Sequence, residues 1–196
     1  MIPILILAAG TSSRMRGPDK LLEDVGGMPL LRRQALMALA TGCPVYVALP
    51  DLGHPRAAAL EGMSVTRLAV PDAAEGMSGT MRGAVAQLPA GADFMMFLGD
   101  LVALETADLK AVLAAKDAHP KALVWRGATE DGKPGHPIIF DASLRPQFAT
   151  LQGDSGGETL VKPLRDQTHL VRLPGKRARF DLDTPEDWAD WRKTTS

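Results

Sequence analysis

The 196-residue sequence predicts a three-layer α/β domain built on a mostly parallel sheet. Short apolar runs rich in Ile, Leu, Val and Met recur along the chain, and amphipathic helical patterns separate them. No repeat, low-complexity tract or linker breaks the alternation, so residues 1–196 are expected to form a single domain.

Each element has a local reason. Residues 2–7 form a continuous Ile- and Leu-rich run, as expected of a strand covered on both faces. Leu30–Leu39 reads as a helix entered at Gly27-Met28-Pro29 and ended by Gly42. Residues 44–49 and 66–70 read as strands, with a short helix at 56–60 between them. A helix is expected over 78–88, with Ser78 as its cap. Phe94–Leu98 is a fully apolar strand followed by Gly99-Asp100, and a helix is expected over 106–116. Strands at 122–125 and 137–140 flank the loop GATEDGKPGHP, and short helices follow at 143–150 and 156–160. Residues 169–173 read as an edge strand, and Thr184, preceding Pro185 and Glu186, caps a closing helix over 185–191.

Bulk properties narrow the function classes. Apolar residues make up 45% of the chain, and a formal net charge of −1 gives no general affinity for nucleic acid or anionic membrane. Any polyanion must be held by a local cluster of cations. Cys43 is the only cysteine, which excludes an intrachain disulfide and a thiolate metal cluster. The N-terminal apolar run is too short to span a bilayer and lacks the basic flank of a secretion signal, so a soluble cytoplasmic protein is expected.

The most informative chemistry follows the first strand. Ala8-Ala9-Gly10 is a small-residue turn, and the polar loop after it carries Arg14, Arg16 and Lys20, with no acidic residue before Asp19. Open α/β sheets bind ligands beyond the carboxyl ends of their strands, and small residues there let a ligand approach the backbone. Cations beside exposed amides favour a polyanion, so the segment points to phosphate handling. It is neither a G-x-x-x-x-G-K-S/T phosphate loop nor a G-x-G-x-x-G dinucleotide loop. Leu7, Ala8, Ala9, Gly10, Ser12, Arg14, Met15, Lys20 and Leu22 instead resemble the signature of the molybdenum cofactor nucleotidyltransferases, the MobA-like NTP transferases. The departure is Arg16, where that family usually has glycine.

Further segments extend the resemblance in order. FMMFLGD delivers Asp100 to a strand end, as the family's Gly-Asp does, although Leu101-Val102-Ala103 replaces the usual Met-Pro-Leu. In FDLDTPEDW, Asp181 and Asp183 alternate on an extended segment, so only one is expected to reach a metal at Asp100. The resemblance marks Asp183 as that ligand. GMSGTMRGAVAQL resembles the family's second nucleotide-contacting loop, through Ser78 and Gly79. Arg82 in this segment reads either as a phosphate contact or as a solvated helix residue. GKPGHPIIF carries Gly135, His136 and Pro137, which in the cytidylyl branch lie near the acceptor, and LQGDSGGETLV also matches a family segment.

The resemblance implies a Rossmann-like nucleotidyltransferase fold and transfer of CMP from CTP to the phosphate of molybdopterin, releasing pyrophosphate. CTP follows from Ala8-Ala9-Gly10, since guanylyl enzymes tend to read Leu-Ala-Gly-Gly and Ala9 adds a methyl against the base. The resemblance implies roles for Arg14 and Lys20 at the triphosphate and for Mg2+ on Asp100 and Asp183. It also implies nucleotide contacts from Leu7, Ala8, Ala9, Gly10, Ser12, Arg14, Lys20, Ser78 and Gly79, and acceptor contacts from Gly135, His136 and Pro137. The alternatives are a GTP-dependent guanylyltransferase, another phosphate-acceptor NTP transferase, and a non-catalytic nucleotide- or cofactor-binding protein. With either nucleotide, the resemblance also implies a molybdenum-enzyme maturation partner.

Overall fold

The computed structural model describes residues 1–153 and 157–195. Its strands are β1 (Ile4–Leu7), β2 (Val45–Leu49), β3 (Val65–Ala69), β4 (Phe94–Leu98), β5 (Val124–Ala128), β6 (Pro134–Phe140) and β7 (Thr168–Arg172). They form one seven-stranded sheet in the order β3-β2-β1-β4-β6-β5-β7. Only β6 among these runs antiparallel to its neighbours, β4 and β5. The helices are α1 (Leu30–Leu39), α2 (Pro55–Ala58), α3 (Met77–Ala86), α4 (Thr106–Ala118), α5 (Arg145–Ala149), α6 (Glu158–Val161) and α7 (Pro185–Thr195). None of the described helices is long and apolar enough to cross a membrane.

Period-two alternation divides the core between the two faces of the sheet. Ile4, Ile6, Met95 and Phe97 pack on one face with Leu30 and Leu31 of α1, Leu109 and Val112 of α4, and Trp188 of α7. Leu5, Leu7, Phe94 and Met96 pack on the other with Met81 and Val85 of α3 and Phe148 of α5. This is the expected three-layer arrangement. Trp188 is 2% exposed and meets Trp191 edge to face, so the closing aromatic pair belongs to the core packing.

The strand order reverses between β1 and β4, which lie side by side and parallel. Their carboxyl ends therefore open a crevice. Gly99 donates its amide to Leu7 O at 3.0 Å. A Cβ at Gly99 would stand 3.2 Å from that same oxygen, which accounts for glycine at this crossing.

Several boundaries differ from the sequence expectation. α3 starts at Met77, and Gly76 (φ 101°, ψ −160°) stands at its cap. Ser78 is therefore a buried first-turn residue and not the cap, because the chain reverses at a conformation that glycine alone adopts easily. β6 begins at Pro134, three residues before the expected start at Pro137, which places Gly135 and His136 on the strand and not in the preceding loop. Residues 142–149 form a 3-10 turn followed by α5. Residues 154–156, including the start of the helix expected at 156–160 and the Asp154-Ser155-Gly156 part of the family segment, lie outside the described residues. β7 is the edge strand as expected. Thr184 caps α7: its Oγ1 accepts the Asp187 amide at 3.2 Å, and Asp187 Oδ2 accepts the Thr184 amide at 2.9 Å.

Candidate active site

β1 runs directly into Ala8 and Ala9, both buried, and then into a turn that presents Gly10 to Arg14 at the mouth of a cavity of about 450 Å³. Met15 is 2% exposed and anchors a 3-10 turn over Ser13–Met15. Ser12 and Arg16 flank that turn in left-handed conformations, with φ of 52° and 57°. The arginine that replaces a family glycine thus adopts the glycine-like geometry itself, and its guanidinium pairs with Glu186.

Lys20 extends from the end of this loop to the carboxylates. Its Nζ lies 2.5 Å from Asp100 Oδ2 and 2.8 Å from Asp183 Oδ1. Arg14 reaches Asp183 Oδ2 at 2.5 Å. Burial alone would lower the Lys20 pKa, but the Asp100 and Asp183 charges outweigh it and hold the ammonium above its ordinary value. Lys20 is therefore a fixed cation at neutral pH.

Asp181 joins the same cluster, which corrects the expectation that it points away. One carboxylate oxygen from each of Asp100, Asp181 and Asp183 lies within 4.8 Å of the others. Side-chain alternation holds for a pleated strand, but residues 180–184 pair with no strand, and Phe180 sits at φ −90°, ψ 92°. Burial, then the Asp100 and Asp183 charges, raise the Asp181 pKa. Asp100 Oδ1 is buried without a hydrogen-bond partner. An unpartnered anionic oxygen beside two further carboxylates is a donor set that fits a hard divalent cation.

The wall of the first cavity facing the β1 turn consists of Ala73, Ala74, Gly76, Met77 and Thr80. Leu7, Ala8, Ala9, Gly10, Ser12, Arg14, Lys20, Asp100 and Asp183 all line this cavity. Ser78 and Gly79 do not line it: Ser78 is fully buried, and a Cβ at Gly79 would stand 2.0 Å from Asp72 O. Gly79 serves the close approach of α3 to the chain before it. Arg82 resolves into a tie between elements, reaching Glu75 at 2.7 Å, Asp72 at 3.3 Å and Leu151 O at 2.9 Å.

A second cavity, of about 570 Å³, adjoins the first and shares Leu98 and Asp181 with it. Gly135 and His136 line it, whereas Pro137 is buried beyond its wall. Arg126, Lys162, Arg165 and Arg179 surround it, against Glu158 and Asp181. Burial, then the Arg126 guanidinium, push His136 down to about 4, so its imidazole is neutral near pH 7. The sequence reading passed over these four cations and over Arg56. Their surroundings come from β5, α6, β7 and the 3-10 turn Arg177–Arg179, and only the basic residues of the stretch after α6 signal them locally.

The profile of the MobA-like NTP transferase domain matches residues 4–170. The chain belongs to this family. Similar family proteins include a probable molybdenum cofactor guanylyltransferase of Natronomonas pharaonis, 29% identical over 93% of both chains. A molybdenum cofactor guanylyltransferase of Serratia proteamaculans is 26% identical over 96% of this chain and 93% of its own. The crystal structure of Rv0371c from Mycobacterium tuberculosis superposes with a TM-score of 0.80 at 26% identity, covering 98% of each chain. As a MobA-like NTP transferase the protein is a nucleotidyltransferase enzyme, and its Rossmann-like fold is that of its solved relatives.

Proposed function

We propose that the enzyme transfers a nucleoside monophosphate from a nucleoside triphosphate to the phosphate of molybdopterin, releasing pyrophosphate. The observation that carries this reading is the meeting of Lys20, Asp100, Asp181 and Asp183 where two cavities adjoin. The first cavity suits the nucleotide, with Leu7 to Gly10 against base and ribose and Arg14 and Lys20 at the phosphates. The second, with its four cations, suits an anionic acceptor.

Phosphoryl-type transfer asks the protein mainly for positioning and charge neutralisation. Arg14 and Lys20 neutralise the departing pyrophosphate. Asp100, Asp181 and Asp183 would hold Mg2+, which when bound supplies Lewis-acid polarisation of phosphate oxygens. A phosphate monoester loses its second proton at a pKa of about 6, so the acceptor needs no general base. Neutral His136 contributes hydrogen bonding in the acceptor cavity and no charge.

Ala9, which lines the first cavity, supports CTP as the donor, since alanine leaves less room for a base than glycine does. The guanylyltransferase names of the two relatives favour GTP as the second reading. Pyrophosphate release with Mg2+ and molybdopterin, compared across CTP, GTP, ATP and UTP, decides between them. Release with CTP alone is expected, and release with GTP alone overturns the base assignment while keeping the reaction. Lys20→Ala and Asp100→Ala are each expected to cost about a hundredfold or more in turnover. A variant near the wild-type rate removes that residue from the scheme.

A further inference from the structure

Behind the β1 turn lies a side chain that meets neither cavity. Arg56, on α2, is 1% exposed, and all five of its N–H donors are spent on the first loop. Its Nη1 donates to Ala8 O at 2.6 Å and to Gly10 O at 2.7 Å. Its Nη2 donates to Ser12 Oγ at 3.1 Å and to Asp19 Oδ1 at 2.8 Å, and Nε donates to Asp19 Oδ2 at 2.7 Å. Asp19 in turn accepts the amide of Leu21 at 3.0 Å. One planar group therefore fixes the turn at residues 8–12 and the backbone on both sides of Lys20.

The consequence for the front of the loop is electrostatic. Arg56 takes up the carbonyl oxygens of Ala8 and Gly10 on the rear of the turn. Among the described residues, the amides of Ala9 to Ser13 have no hydrogen-bond partner in the protein. A turn with the Ala8 and Gly10 carbonyls held behind it and its donors unspent is prepared for an anion. Burial alone would raise the Asp19 pKa, but the hydrogen bonds and charge of Arg56 prevail and keep the carboxylate below its ordinary value. The clamp is thus ionised and fully formed at neutral pH.

We infer that Arg56 is a positioning residue for the triphosphate: without touching the nucleotide, it holds the amides of residues 9–13 and the stem of Lys20 where the phosphates bind. The inference rests on the assignment of the first cavity to the nucleotide. Lysine cannot reproduce it, since a single ammonium offers no planar fork to bridge two carbonyls, a hydroxyl and a carboxylate.

The test compares wild type with Arg56→Lys and Asp19→Asn in the full chain, titrating CTP and GTP calorimetrically with Mg2+. Circular dichroism, thermal melting and amide exchange at residues 9–13 are recorded alongside. Arg56→Lys is expected to lose nucleotide affinity by about tenfold or more, with faster exchange at residues 9–13 and an unchanged KM for molybdopterin. Asp19→Asn, which spares the Ala8 and Gly10 contacts, is expected to shift in the same direction by less. It carries the test if Arg56→Lys fails to fold. Wild-type nucleotide affinity in a folded variant overturns the inference alone. A parallel loss of acceptor and nucleotide binding overturns it as general loosening. Absence of nucleotide binding by the wild type overturns the cavity assignment and the inference together.

Discussion

His136 stands between a metal-type carboxylate cluster and a ring of cations, and its protonation is costly there. Burial and Arg126 hold its pKa at about 4, against about 6.5 for an unperturbed imidazole. Between those values the unfolded chain binds a proton that the folded chain refuses, so the folded state loses stability as the pH falls from 6.5 towards 4. At pH 5 the effect amounts to about 2 kcal/mol or less. Asp108 and Asp181, whose pKa values burial raises, act with the opposite sign as acid is added. The urea midpoint is therefore expected to be lower at pH 5 than at pH 7, and the gap to shrink in His136→Gln. An unchanged gap in that variant shows that the imidazole titrates normally. At this scale the sequence disclosed residues whose chemistry is written into a local pattern, such as Arg14, Lys20 and Asp100. It did not disclose partnerships set by tertiary folding: Lys20 meets Asp183 across 163 positions, and Arg56 meets Asp19 across 37. Asp181 was misread because an alternation rule for strands was applied to a segment that is not one.

α3 meets the 3-10 turn Pro71–Glu75 through glycine, and this contact sets one wall of the first cavity. A Cβ at Gly79 would lie 2.0 Å from Asp72 O, and one at Gly83 would lie 2.7 Å from Val70 Cγ1. Alanine in a helix interior gains up to about 1 kcal/mol over glycine in propensity. Forcing backbone apart in a packed contact costs about 1–3 kcal/mol. Gly79→Ala is therefore expected to lower the melting temperature, and to weaken nucleotide binding as Ala73, Ala74 and Met77 shift. A melting temperature at or above wild type shows that the wall yields without cost. The same contact explains why Gly79 read as a ligand cradle: glycine signals close approach, but not by whom. Elsewhere element boundaries were legible where strong punctuation marks them. Leu30–Leu39 begins after Pro29, and Phe94–Leu98 stops at Gly99. The antiparallel direction of β6 was not legible, because a strand covered on both faces is a continuous apolar run in either orientation.

Across the whole molecule, the sheet places two cavities of different electrostatic character on either side of one carboxylate cluster. The chain has a formal net charge of −1, so the four cations around the second cavity are a local feature and not an overall basic character. Lys162 and Arg165 follow α6 and line that cavity but not the first, where the β1 turn holds its own cations. If the cavities divide the substrates, a charge reversal there acts on the acceptor alone. Arg165→Glu is expected to raise the molybdopterin KM about tenfold, more at low than at high salt, because an exposed charge acts through a field that ions screen over about 10 Å at 0.1 M. The nucleotide KM is expected to stay at its wild-type value. Initial-rate kinetics with each substrate varied in turn separate the two constants. An equal rise in both shows that the nucleotide also spans the second cavity, and that the boundary at Leu98 and Asp181 does not partition the site.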